Sequence, residues 1–324
     1  MSVIIVTGAD EGIGYSSSMS IAATYELPLR FILVCSNGDT GQELKHGLEG
    51  VLEKRGYTTY CSVTVTCVDF SNPEDYREKI TDVITSEVKL LTCDFMHIFT
   101  KSVILCNHAA PCQVTAVEEG YDWLRLEKAI EANYTSFLFV IQQSLRIARL
   151  LFENYRNSYI LLNDDTSPPP LTRSNPKTYS HSCTLVNVTT SSMFPCIPYL
   201  SISCSLKCAR ESVIRSLSME YASTPTFLKA VTYCEQMVDY RLRDDLVASA
   251  ARIETVKKAL IVLEAHENDI PVKRRTEELM RLLEEDAYTS GDVVFYYDLA
   301  DELDDGECDD EAATRPPAEE QSRE

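Results

Sequence analysis

The feature that most constrains the fold is a regular alternation of short apolar segments with longer amphipathic ones. The apolar segments have the length of buried strands, and strands are predicted at Ser2–Val6, Arg30–Val34, Cys61–Val68, Ser102–Cys106, Ser182–Val188 and Leu228–Tyr233. Helices are predicted between them, at Gly12–Tyr25, Gly41–Lys54, Pro73–Leu91, Tyr121–Ala132, Thr135–Glu153 and Ser201–Tyr221. Alternating elements of this length form a parallel sheet with right-handed crossovers and helices on both faces. The sequence therefore predicts an α/β fold of the Rossmann-like, doubly wound type.

The whole pattern fits one domain over residues 1–300, which ends in a helical stretch at Arg241–Glu285 and a short strand at Val293–Tyr296. Residues 157–182 interrupt it, and their Pro-rich sequence predicts an inserted surface loop longer than most connections in compact domains. Residues 301–324 hold eleven acidic residues and two arginines, which predicts a disordered acidic tail. A solubilising end is the simpler interpretation of the tail, with a docking element as the alternative.

The charge and the scattered cysteines exclude several classes of function. A net charge of −20 argues against nucleic acid as a partner, because nucleic-acid-binding proteins present a basic face. No apolar run reaches the length of a membrane span, and the first residues enter a strand without the basic start of a signal peptide. Twelve cysteines without a CxxC pair are then expected as reduced thiols of a cytoplasmic protein. The five histidines form no ligand-spaced cluster, so no metal site is predicted.

A glycine-rich turn joins the first predicted strand to the first predicted helix. Gly8, Gly12 and Gly14 let the backbone approach a pyrophosphate, and the start of the helix offers amide donors to it. The alternative is a glycine-rich turn that serves only close packing of the strand on the helix. The strand–turn–helix context favours the nucleotide interpretation.

Several motifs in order along the chain resemble those of the short-chain dehydrogenase/reductase family. Thr7-Gly8-Ala9-Asp10-Glu11-Gly12-Ile13-Gly14 resembles the family's TGxxxGIG turn, and Asn107-His108-Ala109-Ala110 and Asn187-Val188-Thr189-Thr190 resemble two later motifs. The resemblance runs from Ser2 to about Tyr297. It implies NADPH as the cofactor, with Asp69 meeting the adenine. The cofactor-binding residues that it implies are Gly8, Glu11, Gly12, Ile13, Gly14, Asn37, Asp69, Phe70, Asn107 and Lys207.

Within this family the chain is most similar to the sepiapterin reductases. The segments that carry this likeness are Leu206–Arg210, Ala230–Tyr233 and the ending Glu284–Asp298. The resemblance implies an NADPH-dependent carbonyl reductase of tetrahydrobiopterin formation, with a small-molecule carbonyl substrate such as a pterin. It also implies a homodimer through the helices at Tyr121–Glu153. Their apolar stripe is compatible with a dimer interface and equally with burial against the sheet; it comprises Phe137, Phe139, Ile141, Leu145 and Leu150–Leu151.

The family mechanism needs a tyrosine four residues before a lysine, as the proton donor to the carbonyl oxygen. Here the lysine is Lys207, and Ser203 stands in place of the tyrosine. Thr190 replaces the family's serine as the hydroxyl that holds the carbonyl, and Asn133 falls where an asparagine holds a catalytic water. Because a serine hydroxyl is short and weakly acidic, loss of the phenol should lower the rate by about 10²–10⁴-fold. Tyr199, from the preceding loop, is a candidate substitute acid and substrate contact.

Other positions also depart from the family pattern. Glu11 and Asn37 stand where NADP-using relatives carry arginines, and a carboxylate beside the 2′-phosphate would repel it, unless Glu11 is a solvated charge that points away. Glu235-Gln236 replaces a Pro-Gly pair at the nicotinamide pocket. Phe295 stands where the resemblance places the aspartate that anchors a pterin ring, so only a stacking face remains for the substrate.

Three hypotheses follow from these residues. The first is a sepiapterin-reductase-like enzyme with impaired catalytic and pterin-binding positions. The second is a non-catalytic relative that binds a dinucleotide or a partner. The third is a reductase of another carbonyl, with Tyr199 or a water as the acid.

Overall fold

The computed structural model describes residues 1–26, 28–56, 61–94, 101–110, 112–163, 182–190, 199–224, 226–236 and 271–296. Its strands are β1 (Ser2–Thr7), β2 (Leu29–Cys35), β3 (Ser62–Cys67), β4 (Lys101–Cys106), β5 (Cys183–Thr190), β6 (Leu228–Gln236) and β7 (Val293–Phe295). Its α-helices are α1 (Gly12–Thr24), α2 (Gly38–Lys54), α3 (Pro73–Asp94), α4 (Trp123–Ile130), α5 (Ser136–Asn163), α6 (Ser201–Glu220) and α7 (Val272–Glu285).

The strands form one parallel sheet in the order β3-β2-β1-β4-β5-β6-β7. The chain builds outward from β1 to β3 and then returns across β1 to β4. Strand order therefore reverses between β1 and β4, and ligands of such sheets bind at the carboxyl ends beside this reversal. The predicted Rossmann-like, doubly wound α/β fold is confirmed.

Successive side chains of each central strand enter two cores, one on each face of the sheet. Val3 and Ile5 of β1 pack on the face covered by α3, α5 and α6, whereas Ile4 and Val6 pack on the face covered by α1, α2 and α7. This follows from the period of two along a strand. Because both faces of β1, β2 and β4 are buried, these strands have nearly continuous apolar runs, whereas the edge strand β3 alternates.

The structure corrects two expectations about the helices and favours one of two alternatives for the apolar stripe. The helices predicted at Tyr121–Ala132 and Thr135–Glu153 are joined by a π-helical turn, Glu131–Thr135, into one long helical stretch. That stretch continues to Asn163, so residues 157–163 of the predicted inserted loop are helical. The apolar stripe of α5 is mainly core, since Phe137, Ile141 and Leu145 are buried in the cluster beneath the sheet.

Several predicted segments lie outside the described residues. These are residues 164–181 of the predicted loop, the part of Arg241–Glu285 before residue 271, and the acidic tail. Among the described residues, no helix combines the length and apolarity that a membrane crossing requires. Within the same ranges, His, Cys, Asp and Glu side chains form no group of three or more able to hold a metal ion.

Candidate active site

The glycines of the turn after β1 have different structural reasons. A Cβ on Gly14 would lie 2.1 Å from the carbonyl oxygen of Gly8, and one on Gly8 would lie 2.9 Å from the backbone of Asn107. Close packing thus explains these two glycines. Such a Cβ on Gly12 would have no neighbour within 4 Å among the described residues, and only its φ of +52° favours glycine. The space at Gly12 is open, as approach by a phosphate requires.

Asn107 ties the end of β4 to this turn. Its Nδ2 donates to the carbonyl oxygens of Gly8 at 3.1 Å and Glu11 at 3.4 Å. Glu11 is half-buried and precedes α1, but its side chain does not cap the helix. The first amides of α1 therefore receive no cap from that side chain, which suits the binding of an anion at the helix start.

A carboxylate of the turn is bound to the residues that follow β2. Asp10 Oδ2 accepts hydrogen bonds from the backbone N–H groups of Ser36 and Asn37 at 2.9 and 2.6 Å, and from Ser36 Oγ at 2.8 Å. Asn37, predicted at the cofactor, caps α2 by accepting from the N–H groups of Asp39 and Thr40.

An open cleft of about 550 Å³ lies at the carboxyl ends of β2, β3 and β4. Its lining includes Ser36, Asp69, Phe70, Ala109 and Ala110. Asp69 is exposed, and its Oδ1 accepts from the N–H and Oγ of Ser71. With the open turn at Gly12, a cleft of this size and place fits the adenosine half of a dinucleotide.

His108 links three elements beneath this cleft. Its Nδ1 lies 2.6 Å from Thr7 Oγ1, and its Nε2 lies 3.1 Å from Ser136 Oγ, which donates in turn to the carbonyl of Ala132. Its ring stacks on Phe70 with the centroids 4.1 Å apart. The Phe70 ring is thus packed inside, although the residue also borders the cleft.

The π-helical turn positions Asn133. Asn133 Oδ1 accepts from the N–H of Ala110 at 3.0 Å, and its Nδ2 donates to the carbonyls of Ala110 at 3.1 Å and Ala129 at 2.9 Å. A π-turn within a helix often occurs at a functional site, since it changes the direction of side chains. Here it joins the helix to the segment that follows β4.

Lys207 and Thr190 meet beyond the end of β5. Both side chains are buried, and Lys207 Nζ donates to Thr190 Oγ1 at 2.5 Å. Ser203 is also buried, one turn earlier on α6. These groups surround a cavity of about 30 Å³, whose lining includes Asn107, Cys112, Asn133, Thr190, Ser203, Lys207 and Glu235. That volume holds about one water molecule with polar partners around it.

Two predicted site residues are not among the described lining of this cavity. Tyr199 has a φ of +68°, and its carbonyl accepts from the N–H of Thr115 at 3.1 Å. Phe295 lies on β7, in register with Cys234 of β6. The left-handed backbone of Tyr199 is uncommon for a bulky residue and is often found where a loop has a function.

Arg210, for which the sequence motifs predict no role, is buried at the cavity. Its Nε donates to Asn187 Oδ1 at 3.0 Å, and its Nη1 and Nη2 donate to the carbonyls of His108 and Cys106 at 2.8 and 3.2 Å. The guanidinium also lies 4.2 Å from the ring centroid of Phe137. Its position three residues after Lys207, on the same face of α6, is the signal that points to it.

Glu235 is held at the cavity by an ion pair. Arg275 Nη1 lies 3.2 Å from Glu235 Oε2, and the carbonyl of Arg275 accepts from Tyr233 Oη at 2.8 Å. A carboxylate therefore borders the space in which Ser203 and Lys207 lie.

No family model matches this chain, and no curated protein matches it. Many solved structures do match, and the chain shares its fold with the short-chain dehydrogenase/reductases among them. One is an NAD⁺-bound xylitol dehydrogenase, with a TM-score of 0.62 and 12% identity over 91% of this chain and 96% of that chain. A short-chain type dehydrogenase/reductase from Mycobacterium ulcerans has a TM-score of 0.57 and 12% identity over 91% of this chain and 87% of that chain. An actinorhodin polyketide ketoreductase with NADPH has a TM-score of 0.59 and 14% identity over 91% of this chain and 95% of that chain.

Proposed function

We propose that this chain binds a nicotinamide dinucleotide and interconverts a carbonyl compound and an alcohol as an oxidoreductase. The observation that carries the proposal is the hydrogen bond from Lys207 Nζ to Thr190 Oγ1 beside Asn133, at the carboxyl end of the sheet. The glycine turn and the cleft beside Asp69 are the groups that would hold the dinucleotide. When bound, the dinucleotide supplies or accepts the hydride.

The side chains around the cavity have distinct roles in this proposal. Thr190 Oγ1 donates to the carbonyl oxygen, and the Lys207 ammonium stabilises negative charge that develops there. A water that enters with the substrate delivers the proton in place of the missing phenol, because Ser203 offers only a weakly acidic hydroxyl beside Lys207. The turnover is then about 10²–10⁴-fold below that of an enzyme with a well-placed acid.

The finer form of the proposal is a sepiapterin-type reductase that uses NADPH and takes a pterin. It is supported by the sequence motifs at Leu206–Arg210 and in the chain's last predicted strand region. Phe295 offers a pterin ring only a stacking face. The carboxylates of the glycine turn, Asp10 and Glu11, argue against NADPH, because they would repel its 2′-phosphate.

A second candidate is a non-catalytic protein that keeps dinucleotide binding. It is favoured by the cavity of about 30 Å³ at Lys207, which is smaller than a substrate requires, and by the absence of a phenol at Ser203. A homodimer in the cytoplasm remains part of either proposal. Its interface would use the outer groove between α5 and α6, which includes the half-exposed Leu138.

Dinucleotide binding and turnover are tested separately. The purified chain is titrated with NADH and NADPH by nicotinamide fluorescence, and turnover is followed with a panel of carbonyls that includes sepiapterin. We expect binding of at least one dinucleotide and slow turnover that Lys207→Met abolishes. Absence of binding of either dinucleotide at millimolar concentration contradicts both candidates.

Ser203→Tyr distinguishes the two candidates. It should raise turnover by about 10²–10⁴-fold if the site is otherwise competent. Ser205→Tyr is the matched control, because Ser205 is exposed on the same helix. A natural chain that binds a dinucleotide but reduces nothing, before and after Ser203→Tyr in a folded variant, supports the non-catalytic candidate. Loss of natural turnover in Tyr199→Phe would replace the water with Tyr199 as the acid.

A further inference from the structure

Asp10 is a buried carboxylate that the proposed reaction does not use. It is 7% exposed, and its Oδ2 accepts three hydrogen bonds, from two backbone amides and the hydroxyl of Ser36. Its Oδ1 is buried and makes no hydrogen bond with the described residues. The three bonds at Oδ2 tie the glycine turn to the end of β2, and the buried Oδ1 leaves part of the carboxylate charge without a hydrogen-bond donor among the described residues.

The donors that bind Asp10 lie where a dinucleotide's ribose 2′ group would be recognised. Ser36 and Asn37 follow β2 directly, and Ser36 lines the cleft assigned to the adenosine half of the dinucleotide. In dinucleotide-binding α/β folds, the residues in this region meet the ribose 2′ position, which carries a hydroxyl in NAD and a phosphate in NADP. Ser36 and Asn37, the two residues directly after β2, have no acidic side chain. Asp10 brings the negative charge to that place from the glycine turn.

We propose that Asp10 sets the dinucleotide preference by excluding a 2′-phosphate, so that the chain takes NAD(H) in preference to NADP(H). The inference rests on the proposed function, because it concerns the same dinucleotide. Asp10 acts through Ser36 and Asn37 and is a positioning residue. It removes three donors that a phosphate would use, and its charge repels the phosphate.

Among the described residues that line the cleft, only Lys79 carries a positive charge, and it does not compensate for Asp10. Lys79 Nζ lies 2.6 Å from Asp75 Oδ1 and donates to the carbonyl of Cys67 at 3.0 Å. Its charge is therefore already paired. Glu11 follows Asp10 in the same turn and is not among the described lining of the cleft, which makes it the residue to compare with Asp10. A neutral 2′-hydroxyl meets none of these penalties.

The test compares Kd values for NADH and NADPH, measured by nicotinamide fluorescence on the full chain and its variants. Asp10→Asn removes the charge and keeps an oxygen for the same amides, whereas Asp10→Ser also frees the donors. We expect NADH to bind about 10-fold or more tightly than NADPH to the natural chain. Asp10→Asn should shift the Kd ratio toward NADPH by about 10-fold, and Asp10→Ser by more. Glu11→Gln is the matched control and should shift it less.

The adenosine half provides an independent measurement. Displacement of bound NADH by 5′-AMP and by 2′,5′-ADP isolates the 2′ position, and only 2′,5′-ADP should gain affinity in the Asp10 variants. A natural chain that prefers NADPH overturns the inference and leaves the proposed function intact. The same holds if Asp10→Asn does not change the ratio of the two Kd values, or if Glu11→Gln changes that ratio equally. A natural chain that binds neither dinucleotide overturns both. Near-UV circular dichroism verifies that each variant is folded.

Discussion

Of the glycines in the turn after β1, Gly14 has the least room for a side chain. The main chain of Gly8 occupies the space in which any side chain of residue 14 would lie. At Gly12, by contrast, the space is open and only the backbone angle disfavours other residues. Gly14 is thus needed because there is no space for a side chain, and Gly12 because of its backbone angle. Substitution of each glycine tests this turn geometry directly.

We predict that Gly14→Ala destabilises the fold by several kcal/mol, because its Cβ would clash with rigid backbone. Gly12→Ala should cost about 1–2 kcal/mol, since its φ of +52° strains an alanine. Gly50→Ala is the control: Gly50 lies inside α2 with nothing near its Cβ, and alanine there should stabilise by about 0.5–1 kcal/mol. Urea unfolding measures all three. Equal losses for Gly14→Ala and Gly12→Ala would contradict the described packing.

At the residue scale, the sequence predicted which positions gather at the site better than it predicted their partners. Asn107, Asn133, Thr190, Ser203 and Lys207 were all singled out by motif, and they do line one cavity. Their hydrogen bonds could not be foreseen, because they join atoms distant along the chain. Arg210 and Asp10 show this most clearly, since a motif records a residue's place but not which buried carbonyl or amide it will meet.

The π-helical turn is the element that the sequence pattern could not reveal. The extra residue of a π-turn shifts the 3.6-residue period of the helix, so the pattern was interpreted as two helices with a break. In the structure, the turn brings Asn133 against the backbone of Ala110 and fixes the segment after β4. The central strands were predicted closely. Burial on both faces requires apolar residues along the whole strand, and such a run is visible in the sequence.

We predict that Asn133→Ala lowers the free energy of unfolding by about 1–3 kcal/mol, because it leaves the partly buried N–H of Ala110 without its acceptor. Gln142→Ala is the control, since Gln142 is exposed on α5 and its loss should change stability by less than about 0.5 kcal/mol. Chemical denaturation compares the two. If both variants unfold like the natural chain, the amide of Asn133 does not hold the turn.

For the whole molecule, the central strands place ionisable thiols where no solvent reaches. Burial raises the pKa of Cys106 on β4 and of Cys183 on β5 from 9.0 to about 12. The folded chain therefore keeps these protons between pH 9 and 12, whereas the unfolded chain releases them. Folding stability must then fall as the pH rises through this window, by about 1.4 kcal/mol per pH unit for each thiol.

We predict that Cys106→Ala and Cys183→Ala each make the loss of stability above pH 9 less steep than in the natural chain. Val103→Ala, on the same strand as Cys106, is the control, because it creates a cavity without removing a titrating group. Urea unfolding at several pH values from 8.5 to 10.5 gives the slopes. A slope that is unchanged by loss of either thiol would show that these groups ionise alike in both states.

Arg210 bears on which changes position 203 can tolerate. Its guanidinium holds the ends of β4 and β5 together through Asn187 and two main-chain carbonyls, and none of these bonds involves Ser203. A change of residue 203 therefore leaves these bonds in place. A chain built this way can exchange the side chain at position 203 and keep the contacts that hold its sheet together.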